Sequence, residues 1–170
     1  MSDMLVKLYD LPDSQDLIKK LEAQNIQIRR ALAPDKARIL RFISEEGIGN
    51  PRTEAEADVC FANTPVSLFV ATEGSKLIGY ACYNAIAPDF FGPTAVDPAY
   101  RGKGIGSALC LKALEALYNE GYQYAIIGGI GPRKFYEKVC NALLIPDSSP
   151  GVYKDFLYAL EREEEDNTVI

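Results

Sequence analysis

The sequence predicts a mixed α/β domain, and three observations carry that reading. Two β-rich runs, residues 66–72 and 76–84, flank the short turn Glu73-Gly74-Ser75 and read as a hairpin. An apolar strand-like segment, 91–96, passes through a basic glycine-rich loop into a stretch of helical periodicity that stops near Gly121. Elsewhere, short β-type runs alternate with amphipathic helical ones, the pattern of a sheet with helices packed on it.

The chain has 170 residues, which suits one domain with a real hydrophobic core. No apolar run reaches the roughly 18–20 residues that a membrane helix needs. Met1-Ser2-Asp3-Met4 lacks the basic-then-apolar order of a secretory signal. Cys60, Cys82, Cys110 and Cys140 are far apart, each in an apolar segment, and no C-x-x-C pair occurs. They read as buried thiols of a cytoplasmic protein, with neither a metal site nor a disulfide framework. There is no histidine, so Ser-His-Asp and Cys-His catalysis are excluded, as are most zinc sites. A net charge of −6 disfavours a nucleic-acid partner, which needs a basic surface, and favours cationic small molecules.

In chain order, Leu5 to Tyr9 is a short β-type run and residues 14–23 form a helix with Leu17, Ile18 and Leu21 on one face. These first 24 residues are expected to be an extension packed on the edge of the domain, or alternatively a cover for part of the substrate site. Residues 26–31 alternate apolar and polar as a half-buried strand does. A helix follows over 35–44, opened by Pro34. The breaker-rich loop 45–51 leads to a second helix over 53–62, because Thr53 and Glu56 have capping-box spacing. In an enzyme of this plan that loop would be placed to shape an acceptor pocket; otherwise it is only a connection. After the hairpin and the glycine loop, the next helix is expected to bury Ile105, Leu109, Ala113, Leu114 and Leu117 and to expose Lys112, Glu115 and Asn119. Residues 124–127 form a buried strand, 133–141 a short helix, 142–145 a brief strand or turn, and 152–160 a last strand. The exposed edge of that last strand leaves homodimerisation open. Residues 161–170 are an acidic tail.

The loop itself is Arg101-Gly102-Lys103-Gly104-Ile105-Gly106. Glycines permit φ > 0 and close approach of a ligand to the backbone. Successive N–H groups at a helix N-terminus, with Arg101 and Lys103 adding charge, suit a pyrophosphate. The order required for a Walker loop is absent, and Ser107 stands where a dinucleotide fingerprint needs its third glycine.

With Arg101, Gly104 and Gly106 in the spacing Arg-x-x-Gly-x-Gly, the sequence resembles the GCN5-related N-acetyltransferase (GNAT) superfamily. The resemblance extends over about residues 24–160 and includes Phe135-Tyr136-Glu137-Lys138, which looks like the family's F-Y-x-K segment. It implies a twisted, mostly antiparallel sheet with helices on both faces. Two parallel strands, 91–96 and 124–127, would splay apart to hold acetyl-CoA. By carry-over, the backbone at Ala95, Val96 and Asp97 would hold the pantetheine arm. Arg101, Gly102, Lys103, Gly104, Ile105, Gly106 and Ser107 would hold the pyrophosphate, with Phe135 beside the cofactor. Where the family often carries Asn after the fifth strand, this chain has Gly128-Gly129-Ile130-Gly131-Pro132.

The reaction so implied is attack of a primary amine on the acetyl thioester, without a metal. A backbone N–H near Val96 would stabilise the oxyanion. Tyr136 matches the family's tyrosine by position and would protonate the leaving thiolate. Without histidine the base is a carboxylate, another tyrosine or a water chain; Asp89 is the first candidate and Glu73 the second. A small-molecule amine is the expected acceptor, an amino sugar being one guess. The rivals are a protein N-terminus or lysine as acceptor, a non-catalytic acetyl-CoA sensor, and a nucleotide-binding regulator.

Overall fold

A computed structural model of the protein describes residues 1–46, 48–154 and 157. It contains one seven-stranded sheet built from β1 (Met4–Lys7), β2 (Ile26–Arg30), β3 (Leu68–Glu73), β4 (Lys76–Tyr83), β5 (Phe90–Val96), β6 (Tyr124–Ile127) and β7 (Leu143–Leu144). The strand order is β2-β3-β4-β5-β6-β1-β7. Every neighbouring pair is antiparallel except β5–β6, which is parallel. The helices are α1 (Gln15–Glu22), α2 (Lys36–Ser44), α3 (Pro51–Val59), α4 (Ile105–Asn119) and α5 (Arg133–Cys140).

Side-chain alternation on the central hairpin divides the core in two. Leu68 and Val70 of β3, with Tyr80 and Cys82 of β4, join Ile39, Phe42, Ile43 and Ala57 from α2 and α3 on one face. Phe69, Ala71, Ala81 and Tyr83 face the other way, onto α4. Both faces are therefore covered, and β3 and β4 read as continuous apolar runs for that reason. The helices lie on both faces, as expected.

The N-terminal strand departs from expectation. Residues 1–24 are no edge appendage: β1 lies inside the sheet, between β6 and β7. Met4 faces Ile127 on one side and Leu144 on the other. Met4 and Val6 are fully buried. The helix α1 then packs along α4, where the Ser14 hydroxyl donates to Glu115 at 2.6 Å. Glu115 and Lys112 are consequently half-buried rather than exposed, and α4 buries Cys110, Leu111 and Ala116 as well as the five predicted residues. Replacing Met4 with Ala is expected to cost about 2–5 kcal/mol in urea unfolding, as for any fully buried large side chain. A cost below ~1 kcal/mol would show that the strand is dispensable.

Two other elements differ. Residues 152 and 153 belong to a 3-10 turn, Gly151–Tyr153, and not to a strand. Lys154 follows as a turn residue; the rest of the expected last strand, apart from Leu157, lies outside the described residues, as does the acidic tail. The helix predicted from Thr53 begins earlier, at Pro51, because Asn50 is its N-cap. Asn50 Oδ1 accepts from the Thr53 N–H at 3.0 Å, and Thr53 Oγ1 accepts from the Asn50 N–H at 2.9 Å. Pro at the first helical position fits that frame. Glu56 is thereby released from the capping role the spacing assigned to it.

Candidate active site

The site opens where β5 and β6 part. Only Phe90↔Ile126 and Phe91↔Ile127 are in register between these strands. Beyond them, the pairing of β5 with β4 shifts register between Ala81 and Tyr83, opposite Gly92 and Pro93. Gly92 has φ +110, which suits a bulge that bends the strand away. β5 then continues to Val96 with β4 on one side and a cleft on the other.

The register decides which peptide groups face that cleft. Gly79 lies opposite Val96 and Tyr80 opposite Ala95, and the Asp97 N–H donates to the Ile78 carbonyl at 2.9 Å. Bonded and unbonded positions alternate in an antiparallel pair. Ala95 therefore commits its peptide groups to β4 and Asp97 its N–H, while Thr94 and Val96 turn theirs to the cleft. The Asp97 carbonyl accepts from the Tyr100 N–H at 2.9 Å, and its carboxylate caps Ala99 N–H at 2.9 Å. Of the three residues expected to hold a pantetheine arm by their backbone, Ala95 lines the adjoining cavity but turns its peptide groups to β4, and Asp97 does not line it. Val96 is the one of the three placed to do so. Its carbonyl currently accepts from Arg101 Nε at 3.2 Å.

Beyond Val96 the glycine loop sits at the head of α4, a helix of 15 residues. Gly102 and Gly104 have φ +83 and +88, a region that L-residues avoid. Among the described residues, no acceptor takes the N–H groups of residues 102–107; the first N–H of this stretch with a backbone partner is that of Ala108, bonded to Gly104 at 3.0 Å. Such a run of free N–H groups at a helix N-terminus is a ready anion cradle. A cavity of about 520 Å³ lies against it, lined by Val96, Arg101, the loop glycines, Ser107, Phe135 and Tyr136, among others. The Ile105 side chain is buried in the core, so only its backbone can serve the cradle. Lys103 does not line the cavity; its ammonium lies 5.1 Å from the Tyr100 ring centre. The donor set fits a pyrophosphate with a long polar arm, as in acetyl-CoA.

Tyr136, on α5, is buried against Phe91 and Phe135, with ring centres 6.1 and 5.0 Å away. Burial pushes its phenol well above the ordinary value, so the group remains protonated at neutral pH. Tyr136 also lines a second cavity, of about 270 Å³, on the far side of the splay. The two cavities share Thr94, Pro132 and Tyr136. Glu56, Asn50 and Arg52 line the second cavity opposite Gly128 and Gly129, and Tyr153 closes it. Burial pushes the Tyr153 phenol up to about 12, with the Asp3 carboxylate adding to the effect. A Cβ on Gly128 would run into the Tyr153 hydroxyl, so the glycine-rich turn makes room for this ring.

The N-terminus braces this wall. Asp3 is buried, and its Oδ1 accepts from Gly129 N–H at 2.9 Å while its own N–H donates to Ser148 Oγ at 2.8 Å. Ile130 N–H donates to the Ser2 carbonyl at 3.0 Å. Of residues 1–24, Ser2 and Asp3 thus hold the turn that lines the second cavity.

Asp89 is placed elsewhere. It occupies the turn into β5 with φ +70, accepts from Ile126 N–H at 3.0 Å through its carbonyl, and lines neither cavity. Its Oδ1 is buried and, among the described residues, has no hydrogen-bond partner. Glu73 accepts from the hydroxyl of Tyr100, a residue on the cradle cavity, at 2.6 Å, and itself lines neither cavity. Among the described residues Glu56 is the one carboxylate that lines the second cavity, and it was not expected as a site residue. Its Oε1 accepts from Arg52 Nε at 2.8 Å.

Burial raises the Asp89 carboxyl above its ordinary value of 3.8. The folded state therefore favours the protonated form, and stability falls as pH rises from the ordinary carboxylate range through the raised folded value. Asp89→Asn removes that charge and keeps a residue that tolerates positive φ. The variant is expected to melt higher than the parent at pH 7–8, the gap closing below about pH 4. A variant less stable at neutral pH, with kcat reduced, would return Asp89 to the mechanism.

A family model described as "Acetyltransferase (GNAT) family" matches residues 33–141, more than half of the chain. No curated protein matches it. Among solved structures, the chain is similar to the GCN5-related glucosamine N-acetyltransferase region of a fungal multi-domain β-N-acetylglucosaminidase (TM-score 0.67, 14% identity, 85% of this chain and 19% of that one). It is similar to a GCN5-related N-acetyltransferase from Sphaerobacter thermophilus (TM-score 0.60, 14% identity, 85% and 48%). It is also similar to a GNAT family acetyltransferase from Brucella melitensis in complex with acetyl-CoA (TM-score 0.52, 20% identity, 71% and 86%). The chain thus spans about a fifth of the first structure and about half of the second. At these identities the likeness is one of fold.

Proposed function

This chain belongs to the acetyltransferase (GNAT) family, and from that premise we propose that it transfers the acetyl group of acetyl-CoA to the primary amine of a small molecule. One observation carries the reading: a cleft against the glycine cradle and a separate cavity meet at Thr94, Pro132 and Tyr136, where β5 and β6 part. Acetyl-CoA enters along the first and the amine along the second, so the thioester carbon and the nitrogen face each other at the junction. Holding both reactants there supplies much of the acceleration.

The pyrophosphate takes the N–H groups of residues 102–107, and Val96 presents its backbone to the arm and to the developing oxyanion. The amine nitrogen bonds to the acetyl carbon, and the C–S bond then breaks. Tyr136 gives its phenolic proton to the departing sulfur. Burial raises its pKa, but a thiolate in the same dry cleft is raised by the same cause, so the transfer is not set against it. Glu56 receives the proton that leaves nitrogen, directly or through water, in the role first assigned to Asp89.

Titration with acetyl-CoA, followed by a thiol-release screen over amino sugars, polyamines, amino acids, alkyl and aryl amines and short peptides, tests the proposal. Binding together with CoA release on an amine supports it. Binding without release from any amine would favour a sensor, and no binding would remove the reading altogether.

A further inference from the structure

The acceptor cavity does not end at Glu56. A third hollow, of about 410 Å³, continues along α3 and shares Arg52, Glu56 and Ile86 with it. Its remaining floor is apolar: Ala55 and Val59 from α3, and Ala85 from the loop after β4. Ala55 and Val59 are one turn apart on a single helix face, and both are exposed. Val59 is 45% exposed. Beside them on the helix, Asp58 is exposed and Glu54 half-buried.

The order along the path is fixed by the shared residues. The cradle comes first, then the Tyr136 junction, then Glu56, then the apolar floor. An amine seated between Tyr136 and Glu56 therefore points its substituent over Ala55, Val59 and Ile86. We propose that the acceptor is a primary amine bearing an apolar arm, alkyl or aryl, and that this floor is the arm's subsite. The inference rests on the acetyltransferase reading and makes it specific. It sets aside the amino-sugar guess, because a sugar's hydroxyls would meet methyl groups here and lose their hydrogen bonds to water.

The test compares kcat/KM for n-hexylamine, ethylamine and glucosamine in the parent and in Val59→Asp, with acetyl-CoA binding measured alongside. Each methylene moved onto an apolar surface improves transfer severalfold when fully buried and less on an open floor. Hexylamine is expected to exceed ethylamine by about tenfold or more, and to exceed glucosamine as well. Val59→Asp should remove most of the advantage of hexylamine over ethylamine while leaving acetyl-CoA affinity within about twofold, since the glycine cradle is remote from this floor. Equal rates for hexylamine and ethylamine, or a preference for glucosamine, would overturn the subsite while the acetyltransferase stands. A preference that survives Val59→Asp would also overturn it. Failure to bind acetyl-CoA, or to release CoA with any amine, would overturn the reading and the subsite together.

Discussion

Gly104→Ala is expected to weaken acetyl-CoA binding by about ten- to a hundredfold, while Gly106→Ala changes it by less than about threefold. Both residues belong to the same motif, and the difference follows from local geometry. Gly104 has φ +88 and ends the loop at the head of α4. A Cβ there would come within 2.8 Å of Leu17 Cδ1, on the helix that covers the loop. Alanine must then either hold a left-handed backbone, at about 1–2 kcal/mol, or turn the loop and scatter its N–H groups. Gly106 is already helical, and its Cβ would meet Phe135 and Val96 at 3.7 Å, an ordinary contact. Calorimetric titration of both folded variants checks the contrast. Equal losses in the two would mean that glycine is needed for space under the ligand and not for the turn.

Tyr136→Phe should lower kcat by about 10²–10⁴-fold and leave acetyl-CoA affinity unchanged. The ring contacts to Phe91 and Phe135 survive the substitution, so the fold should too. Only the hydroxyl is lost, and with it the proton for the thiolate. Since burial holds the phenol well above its ordinary value, the parent rate should show no Tyr136 limb up to about pH 10. Unchanged turnover at saturating amine and acetyl-CoA would assign Tyr136 to packing alone.

How much of this was legible in the sequence depended on distance along the chain. The hairpin around Gly74, the strand before the glycine loop and the buried face of α4 are local patterns, and each appears where periodicity puts it. The parallel splayed pair came from the resemblance, not from the pattern of residues. The sheet position of Met4–Lys7 was not legible, because its partners, Ile127 and Leu144, lie more than a hundred residues away. A four-residue strand carries no signal of which neighbours it will find. The same gap concealed the Ser14–Glu115 bond that half-buries one flank of α4.

The candidate site divides the same way. The cradle could be read from its glycines, because their backbone freedom is intrinsic. Which peptide groups face the cleft could not, since that depends on the register of β5 against β4. Glu56 was misread for a specific reason: its spacing from Thr53 imitates a capping box, and Asn50 had the stronger claim as cap with Pro51 at the first helical position. Asp89 was favoured for its nearness in sequence to the strand, yet it lines neither cavity.

The most direct test of the central claim is a crystal structure of the protein with coenzyme A bound. The account predicts the pyrophosphate on the N–H groups of residues 102–107, the pantetheine arm along Val96, and the sulfur near Tyr136 at the junction with the Glu56 cavity. Coenzyme A seated away from the loop, or with its sulfur directed away from Tyr136, would contradict it.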